Sequence, residues 1–150
     1  MLDLAAEFEA IVGALAREGV EYAVCGGFAM AIHGYPRATV DIDLLIRPED
    51  EERVYAAVEP LGFTFRGRPM HFDGGAMEIR RVSKVDRGED ALVLDLLLVT
   101  EDSIDVWSSR EKIEWEGGVV SVVSREGLIK LKSGRMSGTD MDDIRKLRDD

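Results

Sequence analysis

Residues Val40 to Ile46 read VDIDLLI, and this alternation constrains the fold more than any other stretch of the chain. A period of two is that of a β-strand: Val40, Ile42, Leu44 and Ile46 leave one face, while Asp41 and Asp43 leave the other. The strand therefore needs an apolar layer on one side and something to compensate two carboxylates on the other. Carboxylates about 7 Å apart along a strand can converge on one point. Unaided they repel, and one of them tends to hold its proton. A divalent cation removes that penalty. Mg2+ in particular prefers oxygen ligands at about 2.0–2.1 Å and is held by one or two carboxylates together with substrate phosphates.

The neighbouring segments supply what such a pair would need. Upstream, the short strand VEYAVCGG runs into Gly26 and Gly27 and then into FAMAIHG, a helix of about two turns. Backbone N–H groups at a helix start can face an anion, and without Cβ atoms a triphosphate can approach the backbone closely. No Gly-Lys-Ser/Thr follows, so this is not a P-loop; taken alone, the two glycines also describe an ordinary turn. Downstream, LVLDLLLV places Asp95 in an otherwise aliphatic run. Asp95 either sits at a strand end, accepting backbone hydrogen bonds, or joins Asp41 and Asp43 as a third carboxylate. Beside the DID pair the second reading is preferred, because three carboxylates holding two cations can clamp the attacking and leaving oxygens of a phosphoryl transfer.

The remaining pattern predicts one α+β domain over residues 1–150, a mixed β-sheet with helices packed largely on one face. Leu4, Phe8, Ile11, Val12 and Leu15 recur at helical spacing, and Gly19 ends that helix. PEDEERVYAAVEPLGF opens with Pro48 and an acidic first turn. FTFRG, MHFDG, MEIRRVSKV and LVLDLLLV are strands, and KIEWEGGVVSVV is a hairpin turning at Gly117-Gly118. Ser124 caps a helix over REGLIKLKSG, and TDMDDIRKLRDD forms the last.

Thirty acidic and 19 basic residues give a net charge of −11. This excludes strong nonspecific nucleic-acid binding, which depends on Lys and Arg at phosphates. No run is long enough to span a membrane, the acidic N-terminus is not a secretory signal, and the single cysteine excludes an internal disulfide and a Cys-based metal site. A cytoplasmic protein is expected.

GGFAMAIHGYPRATVDIDLLI resembles the signature of the DNA polymerase β-like nucleotidyltransferase superfamily, in which Gly-Gly or Gly-Ser precedes Asp-x-Asp by a short helix. It is most similar to the small prokaryotic members, minimal nucleotidyltransferases of the toxin–antitoxin type. The tail LIKLKSGRMSGTDMDDIRKL is similar to their Leu-Ile-x-x-Lys, Gly-Arg and Asp-x-x-Asp-Ile pattern. The resemblance implies Asp41, Asp43 and Asp95 as ligands of Mg2+ or Mn2+, with Asp95 also helping to deprotonate an acceptor hydroxyl. It implies Gly26 and Gly27 as the triphosphate cradle, Arg37 and Thr39 as matches to the run Arg-x-Thr-x-Asp, with Arg37 either meeting a phosphate or forming a structural ion pair, and Lys132 or Lys130 as the cation that neutralises the triphosphate. Those two lysines cannot face the same way on a helix, and Lys132 is preferred. The segment from Lys132 to Arg135 is shorter than the family pattern.

The expected activity is transfer of a nucleoside monophosphate from an NTP to a hydroxyl of a protein or RNA, including a cognate toxin or antitoxin. The alternatives are an inactive nucleotide- or partner-binding module on the same fold and a metal-dependent phosphohydrolase. His33 and His71 are too few for a zinc site and are read as packing residues. Arg80 and Arg81 alternate across a strand, so one of them can face the cleft, but a solvated face is the preferred reading; Trp107 and Trp115 are read as core or edge packing, and Asp140 and Asp143 as braces of the last helix and Arg135.

Overall fold

The structure, a computed structural model, describes residues 3–35, 41–85, 91–115, 118–135 and 138–148. Helix α1 spans Leu4–Arg17; the Asp3 carboxylate caps it, accepting the N–H groups of Ala5 and Ala6 at 3.1 and 3.2 Å. Its buried stripe is Phe8, Ile11, Ala14 and Leu15, and Gly19 turns the chain at φ +68°. Strand β1 (Ala23–Cys25) leads directly into α2 (Gly26–Ile32), which begins at the two glycines rather than after them. Strand β2 is Asp41–Ile46. A 3-10 turn at Pro48–Asp50 feeds α3 (Glu51–Val58), and buried Asp50 is held there by Arg47 and Arg53 at 3.1 and 3.2 Å.

Short strands β3 (Phe65–Arg66) and β4 (Met70–Phe72) precede the long pair β5 (Met77–Val85) and β6 (Ala91–Leu98). Helix α4 (Ile104–Ser108), which the sequence pattern does not announce, buries Val106 and Trp107. Strands β7 (Glu111–Trp115) and β8 (Gly118–Val122) form a hairpin, in which Gly118, expected in the turn, already pairs with Trp115, while Gly117 lies outside the described residues; α5 (Arg125–Arg135) and α6 (Gly138–Arg148) follow. Ser124 does cap α5, its Oγ accepting the Gly127 N–H at 3.0 Å.

The sheet runs β3-β5-β6-β2-β1-β8-β7, with β4 also paired to β5. It is mixed: β2 with β6 and β1 with β8 are parallel, and the other pairs are antiparallel. Its centre is the parallel pair, where Ile42, Leu44 and Ile46 lie in register with Leu94, Leu96 and Leu98. All six are buried, as the continuous apolar reading of central parallel strands requires. The same face of β5 carries Arg80, Val82 and Lys84; Arg80 reaches Glu51 of α3 and Lys84 reaches Glu7 of α1, so these two helices lie over that face. Phe8 of α1 stacks on Phe28 of α2 at 4.3 Å, and Trp115 meets both rings edge-on. This fixes α2 against the sheet at the mouth of β1 and β2.

Candidate active site

The opposite face of the central strands carries the acids. Asp41 and Asp43 leave β2 together, and the parallel register sets Asp43 beside Asp95 of β6. Asp43 is 7% and Asp95 6% exposed, while Asp41, at the strand start, is half-buried. Buried carboxylates demand partners. For Asp95 the partner is Arg81, directly opposite it across the antiparallel β5–β6 pair. Arg81 donates from Nε to Oδ1 at 2.8 Å and from a terminal nitrogen to Oδ2 at 3.0 Å, a bidentate fork. The bond to Asp95, and beyond it the charges of Asp41 and Asp43, outweigh burial and raise the Arg81 pKa above its ordinary value. One guanidinium therefore lies in the field of all three carboxylates. Sequence reasoning assigned Arg81 to a solvated face. The signal available was the period-two pattern of MEIRRVSKV together with an aspartate that needed a counter-ion; the missing information was the register of β5 on β6.

Across β1 the neighbour of Asp43 is Cys25, and the next residue, Gly26, packs against the Asp43 carboxylate. Gly26 has φ +66°, and a Cβ there would overlap that carboxylate. Here glycine is required twice, by backbone conformation and by contact. Gly27 is buried in the first turn of α2. The Gly-Gly start of α2 and the Asp-x-Asp strand are thus brought together, as the spacing in the sequence anticipates.

Both lysines are engaged in ion pairs. Lys132, expected as an accessible phosphate ligand, is 3% exposed and lies 2.8 Å from buried Asp143 of α6. Packing of α6 over α5 puts the ammonium in that interface, and Asp143 braces the last helix through Lys132. Lys130 donates to both oxygens of Asp105 in α4 at 2.8 and 2.9 Å, which holds the Asp105 pKa below the usual carboxylate range. Helix α4 follows the C-terminal end of β6, whereas Asp41 opens the N-terminal end of the parallel β2, so Lys130 is anchored away from the acids. Arg37 and Thr39 lie outside the described residues, as do the side chains of Arg135 and Asp140. His33 Nε2 is 2.8 Å from the Val123 carbonyl, a contact between segments 90 residues apart, and His71 lies beside Glu78 across the β4–β5 pair.

Among the described residues no three His, Cys, Asp or Glu side chains close into a metal cluster, and both Asp95 oxygens accept from Arg81. The donor set nevertheless fits a hard cation. It is all oxygen, it lies on one face of two adjacent strands, and it already accommodates the positive charge of Arg81. Asp41 and Asp43 would hold Mg2+ or Mn2+ in the manner of an ion that keeps waters and takes its other ligands from substrate phosphates.

No protein-family model and no curated protein matches the sequence. Solved structures do. TM1012 from Thermotoga maritima, a proposed nucleotidyltransferase, is 19% identical over 97% of this chain and 92% of its own, with a TM-score of 0.65. The lincosamide antibiotic adenylyltransferase LnuA, solved with lincomycin bound, is 15% identical, with 95% of each chain covered and a TM-score of 0.64. ANT(2")-Ia, solved with adenylyl-2"-tobramycin, is 18% identical over 93% of this chain and 84% of its own, with a TM-score of 0.66. At these identities the likeness is one of architecture, and it extends over nearly the whole chain. The protein has the nucleotidyltransferase fold.

Proposed function

We propose that this protein is a metal-dependent nucleotidyltransferase that moves a nucleoside monophosphate from an NTP to a hydroxyl and releases pyrophosphate. The observation that carries this reading is the placement of Asp41, Asp43 and Asp95 on one face of two adjacent parallel strands, with Gly26 of α2 packed against Asp43. The shared architecture with adenylyltransferases supports it. In such a reaction the acceptor oxygen attacks the α-phosphorus, the bond from that phosphorus to the bridging oxygen breaks, and pyrophosphate leaves. The chemistry is mostly positioning and charge neutralisation. A bound Mg2+ or Mn2+ would supply the neutralising charge at the phosphates. Asp41 and Asp43 would hold it, and Gly26 and Gly27 would let the triphosphate approach the start of α2. Asp95 would take the acceptor proton, for which a carboxylate retains lone pairs even under a bidentate fork. Arg37 and Thr39 complete the proposed phosphate contacts. Lys132, preferred over Lys130 as the cation for the triphosphate, would have to share or leave its pair with Asp143 to take that role, and Lys130 its pair with Asp105.

The acceptor we favour is a protein, such as a partner toxin, ahead of RNA, because the charge of −11 opposes approach to a polyanion. A second reading, a small-molecule hydroxyl, is favoured by the two antibiotic adenylyltransferases of the same architecture. Incubation with α-labelled ATP, CTP, GTP and UTP plus Mg2+ or Mn2+ tests the activity, with candidate proteins, tRNA, a lincosamide and an aminoglycoside as acceptors. Pyrophosphate and a labelled acceptor are expected. Free nucleotide without a labelled acceptor would make the protein a phosphohydrolase, and nucleotide binding without turnover a binding module.

A further inference from the structure

The Arg81–Asp95 fork gives a site reading that the three-carboxylate pattern does not contain. Both oxygens of Asp95 are engaged, so a cation meeting the nucleotide-free protein finds Asp95 already neutralised. Only the side chain of Arg81 is in a position to change this. Its backbone is paired to β6 on one side, and its carbonyl accepts the Gly67 N–H at 2.8 Å on the other. The side chain is 42% exposed against 8% for that of Asp95, so the guanidinium lies on the open side of the pair. A phosphate offers a guanidinium the same bidentate geometry as a carboxylate and more charge.

We propose that Arg81 exchanges partners: its guanidinium holds Asp95 in the resting protein and passes to the triphosphate when nucleotide enters, so that Asp95 joins Asp41 and Asp43 only in the substrate complex. This rests on the transferase reading and assigns the site a way of assembling. A full cation-holding set exists only with nucleotide present, and Arg81 is a positioning residue for Asp95 before that point and a phosphate ligand after it.

Mn2+ binding followed by electron paramagnetic resonance tests the exchange without turnover. The comparison is between wild-type protein and Arg81→Met, whose unbranched stem can still cover Gly67. Without nucleotide, the variant should bind Mn2+ about tenfold more tightly, the scale of one competing charge-assisted pair removed. It should bind a non-hydrolysable triphosphate analogue about tenfold more weakly. Unchanged or weaker Mn2+ binding by the variant, with the analogue still bound by wild type, overturns the exchange alone and leaves the transferase reading standing. Wild-type protein that binds neither Mn2+ nor its complex with the analogue removes both. If Arg81→Met does not fold, the Nε–H resonance of Arg81 in wild-type protein gives the answer. It should stay in place on adding Mg2+ and shift on adding Mg2+ with the analogue; a resonance unmoved at saturation refutes the proposal.

Discussion

A Cβ on Gly26 would lie 2.7 Å from Cγ of Asp43, closer than real Cβ atoms come, and the φ of +66° is itself strained for any L side chain. Gly26→Ala should therefore lower stability by about 1–3 kcal/mol, read as a fall in the denaturant midpoint, and displace Asp43 as it does so. Nucleotidyl transfer should drop more than the loss of folded protein explains. A variant of unchanged midpoint and activity would show that α2 does not press on Asp43. Asp43→Asn isolates the charge, since shape is kept. We expect transfer to fall about a hundredfold or more, on the scale of one lost electrostatic contact to a transition state. Activity within a few-fold of wild type would remove Asp43 from the chemistry.

Helix α5 is held to α6 by the pair Lys132–Asp143, whose side chains are only 4% and 2% exposed. Removing one member of a buried pair costs about 3–5 kcal/mol. Lys132→Ala should therefore unfold at markedly lower denaturant, and combining Lys132→Met with Asp143→Leu should restore most of the loss. A Lys132→Ala variant as stable as wild type would mean that α6 does not cover α5. This reverses what the local pattern of LIKLKSG indicates, where Lys132 reads as an accessible cation. Its burial depends on α6 packing back over α5, a contact between segments that no helical period records. The same distinction separates β2 from β5. The period-two pattern of VDIDLLI places Asp41 and Asp43 on one strand face, and the short Gly-Gly spacing brings the start of α2 to Asp43, so this local arrangement was legible. That Arg81 rather than Arg80 meets Asp95 follows from the register between β5 and β6, and MEIRRVSKV fits either choice until that register is known. Helix α4 escaped because five residues are too few to show a helical period, and its buried Trp107 is the one local sign of it.

For the whole molecule, a net charge of −11 makes the folded state repel itself and draws every cation toward it, so a rise in Tm with Mg2+ is not by itself evidence of a site. Two controls separate the general effect from the local one. NaCl at matched ionic strength screens the distributed charge, since separations beyond a Debye length of about 10 Å at 0.1 M are largely hidden from one another. Mg2+ or Mn2+ held between Asp41 and Asp43 adds RT ln(1 + [L]/Kd), about 2.7 kcal/mol at a hundredfold excess over Kd. For a chain of this size each kcal/mol raises Tm by roughly 2–4 °C, so the site-specific shift should be about 5–10 °C above the NaCl control. Asp43→Asn changes the total charge by one unit and should keep the NaCl response nearly intact. It should lose most of the excess produced by Mg2+ or Mn2+. Adding a triphosphate analogue should enlarge the excess in wild-type protein, because the phosphates bring further ligands to the cation. A wild-type protein whose Tm rises equally in NaCl and in the divalent salts, with the analogue present, would be responding as an acidic surface. The acids of β2 and β6 would then belong to a binding module rather than to an enzyme.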